Sequence, residues 1–337
     1  MSSARLAAAP IELSLERNDP GAWGASLLYN AELVLAVLRA AAARTITEVG
    51  ALDGDLTRLL LAQAREAGGM VVAIDPEPHP DLETLASASD QLELVREPSL
   101  TALASVPATD AVVLDGDHNH HTVSHELALI AGRDGKWPLV LMHDVCWPHA
   151  RRDQYHQPER IPGGQRQPFA AETGLYPGDP GTRPDGLPFR NCAEHEGGPR
   201  NGVLTAAEAF VAARPELRLA VVPAFFGLGV IWDVTGPDHQ ALSGLLDRWD
   251  RNPHLERLER NRVLHLANTH VQLDRRRQAL RRLEAQQREL RGQRELLERI
   301  LQSRAFAAAE LFVRLRHRDR EPPFSRAAIR RLLGPEP

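Results

Sequence analysis

Cysteine is close to absent. The 337-residue chain holds only Cys146 and Cys192, too few for a disulfide scaffold. Long apolar runs are missing as well. Nothing approaches the roughly 20 residues of a membrane span, and Met1 to Pro10 lacks the apolar stretch of a signal peptide. A cytoplasmic protein with no membrane partner is therefore expected. Lysine is rarer than cysteine: of 40 basic residues only Lys136 is a lysine, a bias that speaks of a genome rather than a mechanism. What remains is an ordinary globular composition, 43% apolar and 25% charged, which excludes a wholly disordered or collagen-like chain. The length admits one large domain or two ordinary ones.

The net charge of −5 conceals a division. Residues 1–250 carry 19 basic and 34 acidic side chains, a net of −15, whereas residues 251–337 carry 21 and 11, a net of +10. A basic tail is one signature of nucleic-acid binding. Here the arginines lie on a helical pattern interleaved with glutamate, the mark of a solvated helix face, so nucleic acid is not expected as a partner.

Residues 1–44 read as an N-terminal helical segment, Ala-rich, broken at Pro20-Gly21, then an apolar helix from Ala25 to Ala43. From Thr45 short β-branched runs alternate with helical patterns: strands at Thr45–Gly50, Met70–Asp75, Leu92–Arg96, Asp110–Leu114 and Pro138–His143, and helices at Leu56–Ala67, Leu82–Ser89 and Thr122–Ala131. Such alternation predicts an α/β fold with a mostly parallel sheet covered on both faces. From 157 to 202 the pattern stops, and 17 of these 46 residues are Gly or Pro. A long segment without regular structure is commonly functional or disordered. The presence of Phe169, Tyr176, Phe189 and Arg190 predicts an ordered active-site lid, with a floppy surface insertion as the alternative. Order resumes with a helix at Val203–Ala213 and two strands, Leu217–Val222 and Phe226–Trp232, which read as a hairpin on the sheet edge. Residues 236–337 form a helical tail. Within it Leu266, Leu273 and Leu280 are seven apart, as are Leu283, Leu290 and Leu297, offset by three; Gln287 and Arg294 interrupt this a/d seam. So narrow a stripe predicts a coiled coil joining copies of the chain, with packing along its own domain as the rival.

The first strand ends in Glu48-Val49-Gly50-Ala51-Leu52-Asp53-Gly54-Asp55, and a helix follows. Glycines there let the backbone turn tightly and let a ligand approach. The second strand ends in Asp75, where an acid can accept hydrogen bonds from ribose hydroxyls. The spacing E-x-G-x-x-x-G departs from the dinucleotide pattern G-x-G-x-x-G and argues against NAD. These residues resemble the class I S-adenosylmethionine (SAM) dependent methyltransferases: Glu48, Gly50 and Gly54 match the first motif and Asp75 the ribose-binding acid. The resemblance covers about residues 40–235. It implies a Rossmann-like, doubly wound seven-stranded sheet with a late antiparallel strand, a SAM domain over 45–235 with the lid 157–202 inserted, and a transferase activity.

The fourth strand runs into Asp115-Gly116-Asp117-His118 and the fifth into His143-Asp144-Val145-Cys146-Trp147. Both ends open onto one crevice in a doubly wound sheet, and seven of the 14 histidines lie between positions 118 and 156. Methyl transfer from SAM needs an aligned lone pair and a base. A sugar or alcohol hydroxyl needs its pKa lowered as well, and Mg²⁺ with its preference for carboxylate oxygens suits that task. This part resembles the metal-dependent O-methyltransferases of macrolide sugars and the cephalosporin-hydroxylase-like proteins. By that resemblance Asp115 and Asp144 are metal ligands, Asp115 also borders the cofactor, and His118 is the catalytic base. His143 stands where the family usually has a second acid or amide, and is a second catalytic candidate. Asp117 and Asn119 read equally as helix caps, and His120, His121 and His125 as helix-surface residues. The spacing of His143, Cys146 and His149 has a zinc-like look, but no fourth ligand accompanies it. Trp147, His149, Arg151, Arg152 and Tyr155 lead into the lid and are assigned to substrate, because arginine pairs grip carboxylates or phosphates. Asn201, before the next helix, reads as its N-cap.

The expectation is a SAM-dependent O-methyltransferase acting on a small natural product or sugar, with Mg²⁺ and a His base. A metal-independent carboxylate or N-methyltransferase is the first alternative. A non-catalytic oligomeric binding module is the second.

Overall fold

Short runs rich in Val, Ile and Leu can be buried on both faces only if helices cover both sides of the sheet they form. The computed structural model describes residues 26–133, 135–316 and 325–334, and in it these runs are parallel strands. The order is α1 (Ala31–Ala40), β1 (Thr45–Val49), α2 (Asp55–Glu66), β2 (Met70–Ile74), α3 (Pro80–Ser87), β3 (Leu92–Val95), α4 (Ser99–Ser105), β4 (Ala111–Leu114), α5 (His120–Ala131) and β5 (Leu139–Met142). Then come β6 (Phe169–Leu175), β7 (Leu187–Ala193), α6 (Val203–Ala212), β8 (Leu217–Val222), β9 (Leu228–Asp233) and α7 (His239–Leu246). The chain ends with α8 (Pro253–Gln302), α9 (Arg304–Arg316) and α10 (Arg326–Leu333).

Seven strands form one sheet in the order β3-β2-β1-β4-β5-β9-β8. Only β9 runs antiparallel to its neighbours β5 and β8, so the expected doubly wound sheet with a late antiparallel strand is what the chain builds. Side chains alternate between two cores. Ile46, Val71, Ala73, Val113 and Leu141 face α1, α2 and α7 on one side. Val72, Ile74, Val112, Leu114 and Val140 face α4, α5 and α6 on the other. The strand order reverses between β1 and β4, and the crevice beyond their C-terminal ends is where such folds bind ligands.

Several elements differ from expectation. Residues 1–25 of the N-terminal segment lie outside the described residues. The segment 157–202 is not without regular structure: β6 and β7 pair antiparallel from Phe169↔Ala193 to Leu175↔Leu187, with Gly174 and Pro188 inside the strands masking their pattern. Helices α4 and α7 are too short for a periodicity to emerge. The hairpin strand β9 starts at Leu228 because Phe225 and Phe226 turn through positive φ, 51° and 65°. The tail helix is broken at Ser303, whose Oγ accepts the Phe306 amide at 3.4 Å. The chain divides into two compact units between Val271 and Gln272. Among the described residues no helix is long and apolar enough to cross a membrane.

One buried acid gives the fold a pH dependence. Glu126 on α5 is 1% exposed. Burial pushes its carboxyl up to about 8, against a hydrogen bond from Ser99 that favours the ionised form. The native state keeps a proton that the unfolded chain loses near the ordinary value of 4.5. This contribution to stability is therefore complete below about pH 4.5 and is lost as pH rises through about 8. Glu126→Gln should melt close to wild type at pH 5 and be more stable by about 1–3 kcal/mol at pH 9. Scanning calorimetry at both pH values checks this; an equal difference at the two would contradict it.

Candidate active site

The glycine loop is built by contacts that admit no side chain. Gly50 has φ +83°, and a Cβ there would lie 2.3 Å from the Asp115 carbonyl oxygen. The ends of β1 and β4 thus come into close backbone contact. Gly54, also left-handed at φ +82°, is the N-cap of α2. Glu48 is buried beneath the loop and its Oε2 accepts the Thr57 hydroxyl at 2.6 Å. Burial pushes its carboxyl up to about 8, so this acid ties β1 to α2 largely in its protonated form. Asp75 leaves the end of β2 and accepts the Leu52 amide through Oδ2 at 2.8 Å and the Glu77 amide through Oδ1 at 2.9 Å. It therefore pins the loop while its carboxylate retains further lone pairs.

Across the crevice the ends of β4 and β5 bring Asp115, His118, His143 and Asp144 together. His118 Nδ1 lies 3.0 Å from Asp144 Oδ2. His143 Nδ1 lies 3.0 Å from Asp115 Oδ1 and 3.7 Å from Asp144 Oδ2. Asp144 sits at φ +59°, a conformation that aspartate tolerates better than most residues. Asp115, His118 and Asp144 each offer a ligand atom, all within 4.8 Å of one another. Burial would raise the Asp144 carboxyl, but the imidazoles of His118, His143 and His149 hold it below the usual carboxylate range.

His143 is a fixed cation. It is 1% exposed, and its Nε2 donates to the Phe225 carbonyl at 2.9 Å while Nδ1 faces the two carboxylates. Burial works against its charge, yet Asp115 and Asp144 raise its pKa to about 10. With both nitrogens donating, the ring has no lone pair for proton abstraction. This second catalytic candidate sits between the carboxylates, in no state to act as a base.

The residues that aim His143 escaped sequence reading. Glu259 on α8 accepts the Phe225 amide at 3.1 Å and the Phe226 amide at 2.8 Å. Arg262 grips the same carboxylate at 2.7 and 2.6 Å and lies over the Phe226 ring, 4.5 Å from its centroid. This clamp holds the left-handed turn whose Phe225 carbonyl receives His143. The pair of aromatics before Gly227 was the available signal; Glu259 looked like any glutamate on a solvated helix.

The residues assigned to substrate divide. His149 is buried, stacked on His118 with ring centroids 5.5 Å apart. Burial pushes it down to about 4, so it is neutral. Trp147 is half-buried and packs with Phe189 beside Phe226 and Leu187. The other three are committed elsewhere. Arg151 bridges Glu208 at 2.6 Å and Thr205 at 3.1 Å. Arg152 is 1% exposed and donates to the carbonyls of Ala193 and Pro180 at 2.6 and 2.7 Å. Tyr155, equally buried, donates to Asp153 Oδ2 at 2.9 Å and accepts the Gln167 amide at 2.8 Å. Arg151 thus holds α6, and Arg152 and Tyr155 fasten the inserted segment to the sheet domain. Asn201 is not the N-cap of α6, which is Gly202. Its Oδ1 accepts the Asp153 amide at 2.6 Å and its Nδ2 donates to the carbonyls of His195 and Gly197. Asn119 does cap α5, accepting the Thr122 amide at 2.8 Å, and Asp117 takes the Thr122 hydroxyl.

Residues 47–145 match the family described as a methyltransferase domain, and they span the glycine loop, Asp75, Asp115 and Asp144. Over this stretch the chain matches a methyltransferase domain. Solved structures similar to it include the SAH-bound methyltransferase PaMTH1 of Podospora anserina, 15% identical, covering 60% of this chain and 77% of that one with a TM-score of 0.37. Streptomyces venezuelae DesVI is 14% identical, with coverage of 65% and 93% and a TM-score of 0.37. Human N-acetylserotonin methyltransferase in complex with SAM is 12% identical, with coverage of 61% and 51% and a TM-score of 0.35. Comparison with curated protein sequences gives no match. Within the matched stretch the glycine loop and the carboxylate–imidazole cluster are joined directly, through the Gly50–Asp115 backbone contact.

Proposed function

We propose that the methyltransferase acts on a hydroxyl oxygen of a small molecule, a sugar or another hydroxylated natural product. The observation that carries this reading is the His118–Asp144 pair at 3.0 Å, at the same strand ends as the glycine loop. A carboxylate facing Nδ1 keeps the proton there and leaves the Nε2 lone pair to take a proton from the acceptor. SAM supplies an already activated methyl group, so the protein's task is alignment and proton removal. His143, as a cation, holds Asp115 and Asp144 together and offsets part of their charge. His149 stacks on one face of the His118 ring.

The cluster also fits a divalent cation. Two carboxylates and an imidazole converge within 4.8 Å, and the oxygen-rich donor set suits Mg²⁺. Asp115 and Asp144 would hold it. A bound cation would lower the pKa of the acceptor hydroxyl. Because His143 occupies the place of a further acid, the charge here suits a single ion. The same imidazolium supports a second reading, transfer without metal, since it already stabilises the paired carboxylates.

Transfer of labelled methyl from SAM to a panel of hydroxylated acceptors tests both. Activity should fall to background in excess chelator and return with Mg²⁺; undiminished activity in chelator would leave only the metal-free reading. For the cofactor, Asp75 is assigned to the ribose hydroxyls. Asp75→Ala should weaken SAM binding about 10- to 100-fold, the scale of hydrogen bonds to a charged group. Unchanged affinity by calorimetry would remove Asp75 from the site.

A further inference from the structure

We propose that two copies of the chain pair through α8 in antiparallel register, about a two-fold axis that passes between Arg281 and Arg282. The second compact unit leaves a stripe of this helix uncovered: Leu280 is 49% exposed, Leu283 54% and Leu290 63%, and Leu273 is partly exposed at its start. Burying such side chains contributes roughly 1.5–3 kcal/mol each. The order of residues along the stripe says what covers it. An axis between Arg281 and Arg282 sets Leu280 against the partner's Leu283, and Leu273 against the partner's Leu290. The polar seam residue Gln287 then meets a polar partner, while Arg294 lies beyond the paired leucines. Arg276 faces the partner's Gln287, a donor opposite an amide oxygen. The seam therefore reads the same in both directions, which is what a two-fold antiparallel pair requires.

Charge selects the same arrangement. Flanking the core, Arg277 falls beside the partner's Glu284, and symmetry repeats the pair. Within one chain Arg277 leans on Asp274 at 3.4 Å, with both side chains exposed, so it is free to reach across. A parallel pair would instead stack Arg276 on the partner's Arg276 in the core. Its flanking contacts would join Ala279 to the partner's Glu284 and Gln286 to the partner's Arg291, with no ion pair at all. Flanking charges of this kind set orientation in coiled coils. The seam is bounded on the N-terminal side by Leu266, which is already buried in the first unit against Val263, Phe226 and Leu187. It covers about 26 Å of helix. A segment this short is marginal as an isolated coiled coil, but α8 is folded at both ends before pairing, so association need not offset helix nucleation.

The full chain should be a dimer by light scattering at about 100 µM, where a weak self-association is populated by mass action. Leu283→Glu with Leu290→Glu should make it monomeric with helical content intact, since both side chains are exposed in the single chain. Arg277→Glu should raise the dimer Kd about tenfold, and adding Glu284→Arg should bring it back near wild type. A monomeric full chain, or a dimer indifferent to the leucine substitutions, would overturn the pairing through α8. Loss at Arg277→Glu without recovery in the double reversal would overturn the antiparallel register.

Discussion

His118→Ala is expected to lower kcat by roughly 10²- to 10⁴-fold while SAM binds about as it does to wild type. The imidazole is placed to take the acceptor's proton, held by Asp144 on one nitrogen and stacked on His149. Its ring is set by Asp144, His149 and His156 rather than by the glycine loop, which is why affinity should be spared. Asp144→Asn serves as the companion variant. An amide in place of the carboxylate no longer fixes the Nδ1–H tautomer of His118, so this change alone should cost at least tenfold in kcat. The rates are measured by transfer of labelled methyl from SAM. A fall of less than about tenfold would place proton removal on another group.

Gly50→Ala should have an effect of similar size on the cofactor side. Any Cβ at this position meets the Asp115 carbonyl oxygen at 2.3 Å and the Gly116 Cα at 2.6 Å. Both obstacles are backbone, and neither can rotate away. The residue also sits at φ +83°, which a non-glycine residue adopts at a cost of about 1–3 kcal/mol. Relief requires β1 and β4 to separate where the cofactor loop and the acidic cluster join. A loss of about 2–4 kcal/mol in stability is expected, with SAM binding reduced beyond detection by titration. Near-normal binding would show that the loop takes its shape from something other than the Gly50–Asp115 contact.

The two halves of the site were not equally visible in the sequence. The glycine loop, Asp75 and the strand order were legible because each is local: a strand, a turn and a helix within about thirty residues, with the ligand-facing positions fixed by strand ends. The gathering of Asp115, His118 and Asp144 at one crevice was legible for the same reason. The charge of His143 was not, because it depends on the Phe225 carbonyl, 82 residues away, and on Glu259, which holds that turn from α8. Arg152 misled because an arginine beside a crevice reads as an anion grip. Its burial, and the carbonyls of Ala193 and Pro180 that surround it, arise only when the inserted hairpin folds back. The hairpin itself was masked by Gly174 and Pro188, which interrupt the alternation that would have announced two strands.

The most direct measurement is calorimetric titration of SAM into the full chain, with Asp75→Ala alongside. The account predicts one SAM per chain, bound by wild type with or without Mg²⁺, and the same stoichiometry with affinity about 10- to 100-fold weaker in the variant. Absence of SAM binding to the wild-type chain, or binding indifferent to Asp75, would contradict the assignment of the crevice between β1 and β4 as the cofactor site.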